Sequence, residues 1–178
     1  MPTVLIDSPV GPLELTSADD ALSGLRFVGR WPGEAQADDV TGSADTEAVN
    51  TSSADVVDEV LAAAAGQLAE YFAGDRTKFD LPLAAQGDEF HRNVWRLIAE
   101  IPYGETVSYG SIAERLGGIR LSQAVGGATG RNPLAIVVPC HRVVGAHGSL
   151  TGFGGGLDRK RFLLALEESA DVAAARLF

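Results

Sequence analysis

The side chains with the most chemical capacity stand together in the run Pro139-Cys140-His141-Arg142-Val143. A thiol is a poor nucleophile until it ionises, and its ordinary pKa of about 8.5 leaves only a few per cent thiolate near neutrality. His141 and Arg142 favour the thiolate. Neighbours in sequence cannot point at the same spot, so proton transfer from Cys140 to His141 calls for an intervening water. An acid to orient the imidazole must come from elsewhere, and Glu167, near the end of an otherwise apolar helix, is the best placed. On these residues alone a plainer alternative stays open. Cys140 could fill the core after a buried strand, as free cysteines often do, with His141 a structural histidine and Glu167 a solvated helix end.

The elements that must position these groups read as two units. Thr3 to Ile6, Leu13 to Thr16 and Gly24 to Val28 are short strands separated by Pro9, Gly11-Pro12 and a Ser17 to Asp20 turn, an antiparallel meander. From Gly33 to Asp55 the chain holds almost no large apolar residue, which predicts a flexible acidic loop. Val57, Leu61, Ala65, Leu68 and Phe72 give helical spacing over Asp55 to Phe72, closed by Gly74. A first α+β domain over 1–87 follows. A second, 88–178, begins with a helix marked by Phe90, Val94, Trp95 and Ile98 that stops at Pro102. Ser108 caps a short helix from Tyr109 to Leu116, Gly117-Gly118 turn the chain, and Leu121 to Thr129 form another helix, a helix-turn-helix arithmetic that plain packing also produces. Ala135 to Val138 reads as a buried strand and Asp158 to Glu168 as a last helix with Phe162, Leu163 and Leu166 inward. The fold class is α+β: a small antiparallel sheet plus helix, then a helical, winged helix-turn-helix-like domain.

Composition narrows the classes. With 178 residues, 46% hydrophobic and 21% charged, the chain can bury a core and is not disordered or fibrous. Its start has no cationic segment and no long apolar run, which predicts a cytoplasmic protein without a signal peptide or membrane span. One cysteine excludes an intramolecular disulfide and, with only three histidines, leaves too few soft ligands for structural zinc. A net charge of −10 argues against nucleic acid, yet the average hides a split. Residues 1–89 hold 17 acidic and 4 basic side chains, a net of −13, whereas residues 90–178 hold 7 and 10, a net of +3. Only the second half could face a polyanion.

The run 139–143 resembles the active-site signature of the O6-alkylguanine-DNA alkyltransferases, and the likeness extends further. Ile101 to Tyr109, Ala124-Val125-Gly126-Gly127-Ala128, Asn132-Pro133, and Gly155-Gly156 through Leu163-Leu164 to Glu167 all fall where that family places them, without a gap between Tyr109 and Glu167. The first unit resembles the family's variable amino-terminal domain in outline.

The resemblance implies DNA repair by direct reversal. The protein would rotate a lesion-bearing guanine out of double-stranded DNA and transfer the alkyl group from O6, and by extension from O4-alkylthymine, irreversibly to Cys140. By position Cys140 is the nucleophile, His141 the water-mediated base, Glu167 its orienting acid and Asn132 the hinge. Tyr109 matches the residue that helps rotate the base, and Phe153, Gly154 and Val143 line the substrate pocket. Arg115, Arg120 and Arg131 are the expected phosphate contacts. The protein is expected to be a monomer with no cofactor and no membrane partner, and the metal site that some relatives carry in the amino-terminal domain has no ligands here. Two positions depart from the family pattern: Gln123 stands where an intercalating arginine is common, and Phe153 where a tyrosine is common. Two other functions compete with it, a sensor that flips alkylated bases without repairing them and a Cys-His hydrolase. The cysteine counts against the sensor, and the lack of an oxyanion motif against the hydrolase. A transferase for a bulkier adduct is a further variant.

Overall fold

The computed structural model describes residues 1–31 and 58–168. Three strands, β1 (Thr3–Ile6), β2 (Leu13–Ala18) and β3 (Ala21–Phe27), form an antiparallel sheet in the order β1-β2-β3. Strict alternation along β2 sends Leu13, Leu15 and Ser17 inward. The hairpin is tighter than the sequence predicts. Asp19 and Asp20 alone make the turn, both at positive φ (50° and 59°), a conformation that aspartate tolerates and that matches strand twist. The flanking residues therefore pair, so β2 runs to Ala18 and β3 begins at Ala21 rather than at Gly24. The expected acidic loop at 33–55 lies outside the described residues.

Helix α1 (Glu59–Ala73) starts at Asp58, whose carboxylate accepts from the Leu61 amide at 3.0 Å, and stops at Gly74 with φ 83°. Its inward residues are Leu61, Ala64, Leu68 and Tyr71. This face is rotated from the predicted one, because Tyr71 rather than Phe72 takes the fully buried place. Helix α2 (Glu89–Ala99), capped by Asp88, buries Val94, Trp95, Leu97 and Ile98. The Trp95 indole donates to the Ala128 carbonyl at 2.8 Å and fastens α2 to the segment that carries Ala128.

A two-residue strand β4 (Val107–Ser108) leads into α3 (Tyr109–Leu116), with Ser108 accepting from the Ser111 amide. Gly117 and Gly118, at φ 134° and 152°, reverse the chain, and after one 3-10 turn α4 (Ser122–Gly130) follows. The helix-turn-helix arrangement is thus present. The strand expected over Ala135 to Val138 is not. Leu134 makes one isolated bridge to Leu25, Ile136 then takes φ 70°, and the Val137 and Val138 amides donate back to Ala135 and Leu134. A four-residue apolar run fits a buried turn as well as a buried strand, and the local hydrogen bonds decide for the turn.

Cys140–Arg142 form a single 3-10 turn, and β5 (Val143–Val144) pairs in parallel with β4. That pairing, which the sequence did not reveal, sets the cysteine turn beside the start of α3. Helix α5 (Leu157–Glu167) closes the fold and buries Arg159, Lys160 and Glu167 with Leu163. The Arg159 guanidinium donates to the carbonyls of Val10 (2.7 Å), Gly29 (3.1 Å) and Gly155 (3.1 Å) and lies over the Phe27 ring. It joins the last helix to the meander. Among the described residues no helix is long and apolar enough to cross a membrane.

Candidate active site

Divergence within one 3-10 turn gives Cys140 and His141 different surroundings. Cys140 is 6% exposed and lines a cleft of about 550 Å³ together with Tyr109, Gln123, Gly126, Phe153 and Gly154. Burial pushes the thiol above its ordinary pKa, against the weaker pull of Asn132 and the Lys160 cation. The thiol therefore holds its proton at neutrality and needs a base.

His141 turns away from the cleft, wholly buried, toward Glu167. Its Nε2 lies 2.7 Å from Glu167 Oε1. The same oxygen accepts from Arg142 Nη2 at 2.8 Å and from the Tyr71 hydroxyl at 2.7 Å, while Oε2 accepts from Arg142 Nε at 2.8 Å. Burial alone would raise the Glu167 pKa, but the hydrogen bonds and charges of His141 and Arg142 outweigh it and hold the carboxyl at about 2. Glu167 is ionised, so the proton of the shared hydrogen bond sits on Nε2. Burial keeps the imidazole itself neutral, below its ordinary pKa despite the carboxylate. The basic lone pair is then on Nδ1, which is buried and makes no hydrogen bond within the protein. A neutral imidazole fixed in this tautomer can take a proton.

The other predicted residues fall in three places. Asn132, just beyond α4, donates to the Val138 carbonyl at 2.8 Å and accepts from the Leu134 amide at 3.0 Å, bracing the turn that leads to Cys140. Tyr109 opens α3, donates to the Thr151 carbonyl at 3.2 Å, and lies 5.9 Å from Lys160 Nζ, ring centre to nitrogen. Phe153 walls the cleft and meets Phe27 edge to face at 5.6 Å, and Gly154 lies beside it in open space. The Val143 side chain is fully buried, and the cleft lining does not include it. Gln123, Arg120 and Arg131 are exposed on and around α4, whereas Arg115 is held by Glu100 at 2.8 Å.

Sequence reasoning missed Tyr71 and Lys160. Lys160 Nζ donates to the carbonyls of Val143 (2.6 Å) and Thr151 (3.2 Å), tying the strand after the cysteine turn and the cleft-lining loop to α5. The signal was available in part: Lys160, Leu163 and Glu167 repeat at helical spacing, a polar stripe in phase with a core leucine. A larger cavity of about 750 Å³, lined by Tyr103, Leu150, Leu164 and Glu168 among others, does not reach Cys140. Among the described residues no cluster of three or more His, Cys, Asp or Glu could hold a metal ion.

Residues 3–85 match the family model described as the ribonuclease-like domain of 6-O-methylguanine DNA methyltransferase, and residues 89–169 match its DNA-binding domain. A curated relative from Mycolicibacterium paratuberculosis, named methylated-DNA--protein-cysteine methyltransferase, is 47% identical, covering 97% of this chain and 96% of its own. This chain belongs to the 6-O-methylguanine DNA methyltransferase family. Among solved structures of this methyltransferase family, Mycobacterium tuberculosis OGT in complex with DNA matches with a TM-score of 0.74 at 42% identity, covering 92% of this chain and 91% of its own. An O6-methylguanine DNA methyltransferase from Methanococcus jannaschii matches with a TM-score of 0.61 at 30% identity, over 93% of each chain. As a family methyltransferase the chain has the small antiparallel sheet followed by a helical domain, α+β overall, as the sequence predicts.

Proposed function

We propose that this methyltransferase repairs double-stranded DNA by moving the alkyl group of O6-alkylguanine, and of O4-alkylthymine, to Cys140 in a single irreversible turnover. The observation that carries the reading is a cysteine lining an open cleft next to a histidine whose Nε2 is held 2.7 Å from Glu167 and whose Nδ1 makes no hydrogen bond within the protein. A water between Sγ and Nδ1 relays the thiol proton to His141, and Glu167 stabilises the imidazolium that forms. Sγ then attacks the alkyl carbon. The S–C bond forms as the O6–C bond breaks, the bonding pair stays on the purine, and guanine takes up one proton at N1 to match the one released. A thioether has no leaving path, so each molecule reacts once.

The stacked base cannot reach Cys140, so the lesion has to be flipped into the cleft, at a cost of a few kcal/mol that DNA contacts offset. Those contacts are assigned to α3, α4 and the exposed Arg120 and Arg131, with Gln123 filling the gap, Tyr109 aiding rotation, Val143 behind the pocket and Asn132 acting as hinge. The division at 87–88 separates a supporting domain from the DNA-binding one. The protein works as a cytoplasmic monomer.

Mass spectrometry of Cys140 after mixing with duplex DNA carrying O6-methylguanine tests the reading. A permanent gain of one methyl supports it. Tight binding with no gain means a sensor. One observation favours a second substrate: a Cβ placed on Gly154 would meet no atom within 4 Å, so the cleft beside Phe153 has room for a bulkier adduct. Faster transfer from a benzyl than from a methyl adduct would establish that preference.

A further inference from the structure

Tyr71 is fully buried on α1, far from the cleft in sequence, and its ring packs against Phe72, Phe79 and Tyr103. Phenylalanine would supply that packing. A hydroxyl this deep costs stability unless it finds a partner, and its partner is Glu167 Oε1. We propose that Tyr71 is a positioning residue of the proton relay, its hydroxyl sharing with His141 the one carboxylate oxygen that governs the imidazole. The inference rests on the Cys140–His141–Glu167 reading above.

The shared oxygen is what gives the hydroxyl leverage. Glu167 Oε1 takes three donors, and charge drawn by one is less available to the others. With Tyr71 in place, part of the carboxylate charge is committed to the phenol, and His141 is held in orientation without being drawn strongly toward imidazolium. Burial and the nearby carboxylate raise the phenol pKa far above its ordinary value, so Tyr71 remains a donor throughout the working range. The remaining charged and titratable groups around His141 and Glu167 have other duties. Arg142 grips both carboxylate oxygens and also donates to the Ile101 carbonyl at 2.7 Å. Lys160 from α5 is bound to the two carbonyls beside Cys140. Tyr103 lies under the Arg142 guanidinium at 5.7 Å and gives its hydroxyl to the Leu166 carbonyl at 3.3 Å.

The test is the pH profile, from pH 5 to 9, of single-turnover methyl transfer at saturating DNA. Tyr71→Phe should slow transfer roughly tenfold, as loss of a partner that orients an active-site group does. Its acid limb should move to higher pH, because the freed carboxylate charge favours imidazolium. Tyr103→Phe removes a hydroxyl from the same aromatic group and should leave the limb in place. Fluorotyrosine at position 71 keeps the packing, strengthens the donor, and should move the limb to lower pH. The proposal is overturned if Tyr71→Phe matches the parent, or loses the same factor at every pH with the limb unmoved. Should Tyr71→Phe not fold, an unmoved limb with fluorotyrosine overturns it equally. A parent protein that adds no methyl to Cys140 removes the underlying reading and this inference with it, whereas an active parent with an indifferent Tyr71→Phe removes only this inference.

Discussion

Burial raises the pKa of the Cys140 thiol, and in the proposed relay the residue that takes its proton is His141. His141→Ala should therefore slow transfer most near neutral pH, and alkaline buffer should recover part of the rate as the thiol ionises unaided. A loss of equal size at every pH would make His141 structural. Cys140→Ala should abolish transfer and leave DNA affinity largely intact, measured by mass spectrometry and anisotropy. The same buried groups link stability to pH. The folded pKa of His141 is depressed, so below its unfolded value of about 6.5 the unfolded chain binds a proton that the folded one refuses, and stability falls. Glu167 is ionised to about pH 2 when folded. Its contribution, on the order of 3 kcal/mol, is complete above about pH 4.5 and is lost as pH drops toward 2. Denaturant midpoints should thus decline in two stages, and Glu167→Gln, less stable at pH 7, should lack the second.

The residues that leave the family pattern divide between binding and rate. Gln123→Arg adds a cation at the edge of the cleft, where the proposed flipping would bring attraction to phosphate and stacking on the order of 1 kcal/mol each, so Kd should fall. Phe153→Tyr adds a donor for charge developing on the departing purine and should raise the single-turnover rate at saturating DNA. Titrations and rapid-quench rates separate the two. If both variants lose activity, the bulkier substrate gains ground.

Among the elements, the positive surface is thinner than the sequence suggests. Of the basic residues between 115 and 161, Arg142, Arg159 and Lys160 are buried and satisfied by carboxylate or carbonyl oxygens, and Arg115 is paired with Glu100. Arg161 is exposed but paired with Asp158 at 3.1 Å, which leaves Arg120 and Arg131 as exposed cations on and around α4. Each, changed to Ala, should lower the salt slope of DNA binding by about one, whereas Arg115→Ala should change it less. The helices were legible because apolar spacing, the Ser108 cap and the Gly74 stop act locally, whereas the Asp58 and Asp88 caps emerged only from the structure. Ala135 to Val138 was not, because a strand and a buried turn demand the same apolar residues and differ only in where their amides bond. The β4–β5 pair was hidden for a related reason: two residues carry no period. In the site, Cys140, His141 and Glu167 stood out by type and motif, while Tyr71 and Lys160 looked like ordinary helix residues until the fold placed them.

Across the whole molecule, the first half holds the cleft from behind. Phe27 on β3 supports Phe153, and Gly155 lets them meet: a Cβ there would lie 2.6 Å from the Phe27 ring and 2.9 Å from Phe153. Gly155→Ala should cost about 1–3 kcal/mol as overpacking and disturb the wall of the cleft, so thermal melting and transfer rate should fall together. A variant that melts earlier yet transfers normally would show that the wall is indifferent to its support.

The bond between Tyr71 and Glu167 spans 96 positions of sequence. Synthesis proceeds from the amino terminus, so α1 is made long before the last helix and His141 is made 26 positions before Glu167, and until that helix docks neither has its carboxylate partner. Cys140 emerges before Glu167 as well. In the proposed relay the nascent thiol has no assisted path for its proton, and that path is complete only when the final helix docks. If each molecule reacts once, as proposed, completion of folding and readiness for use are the same event.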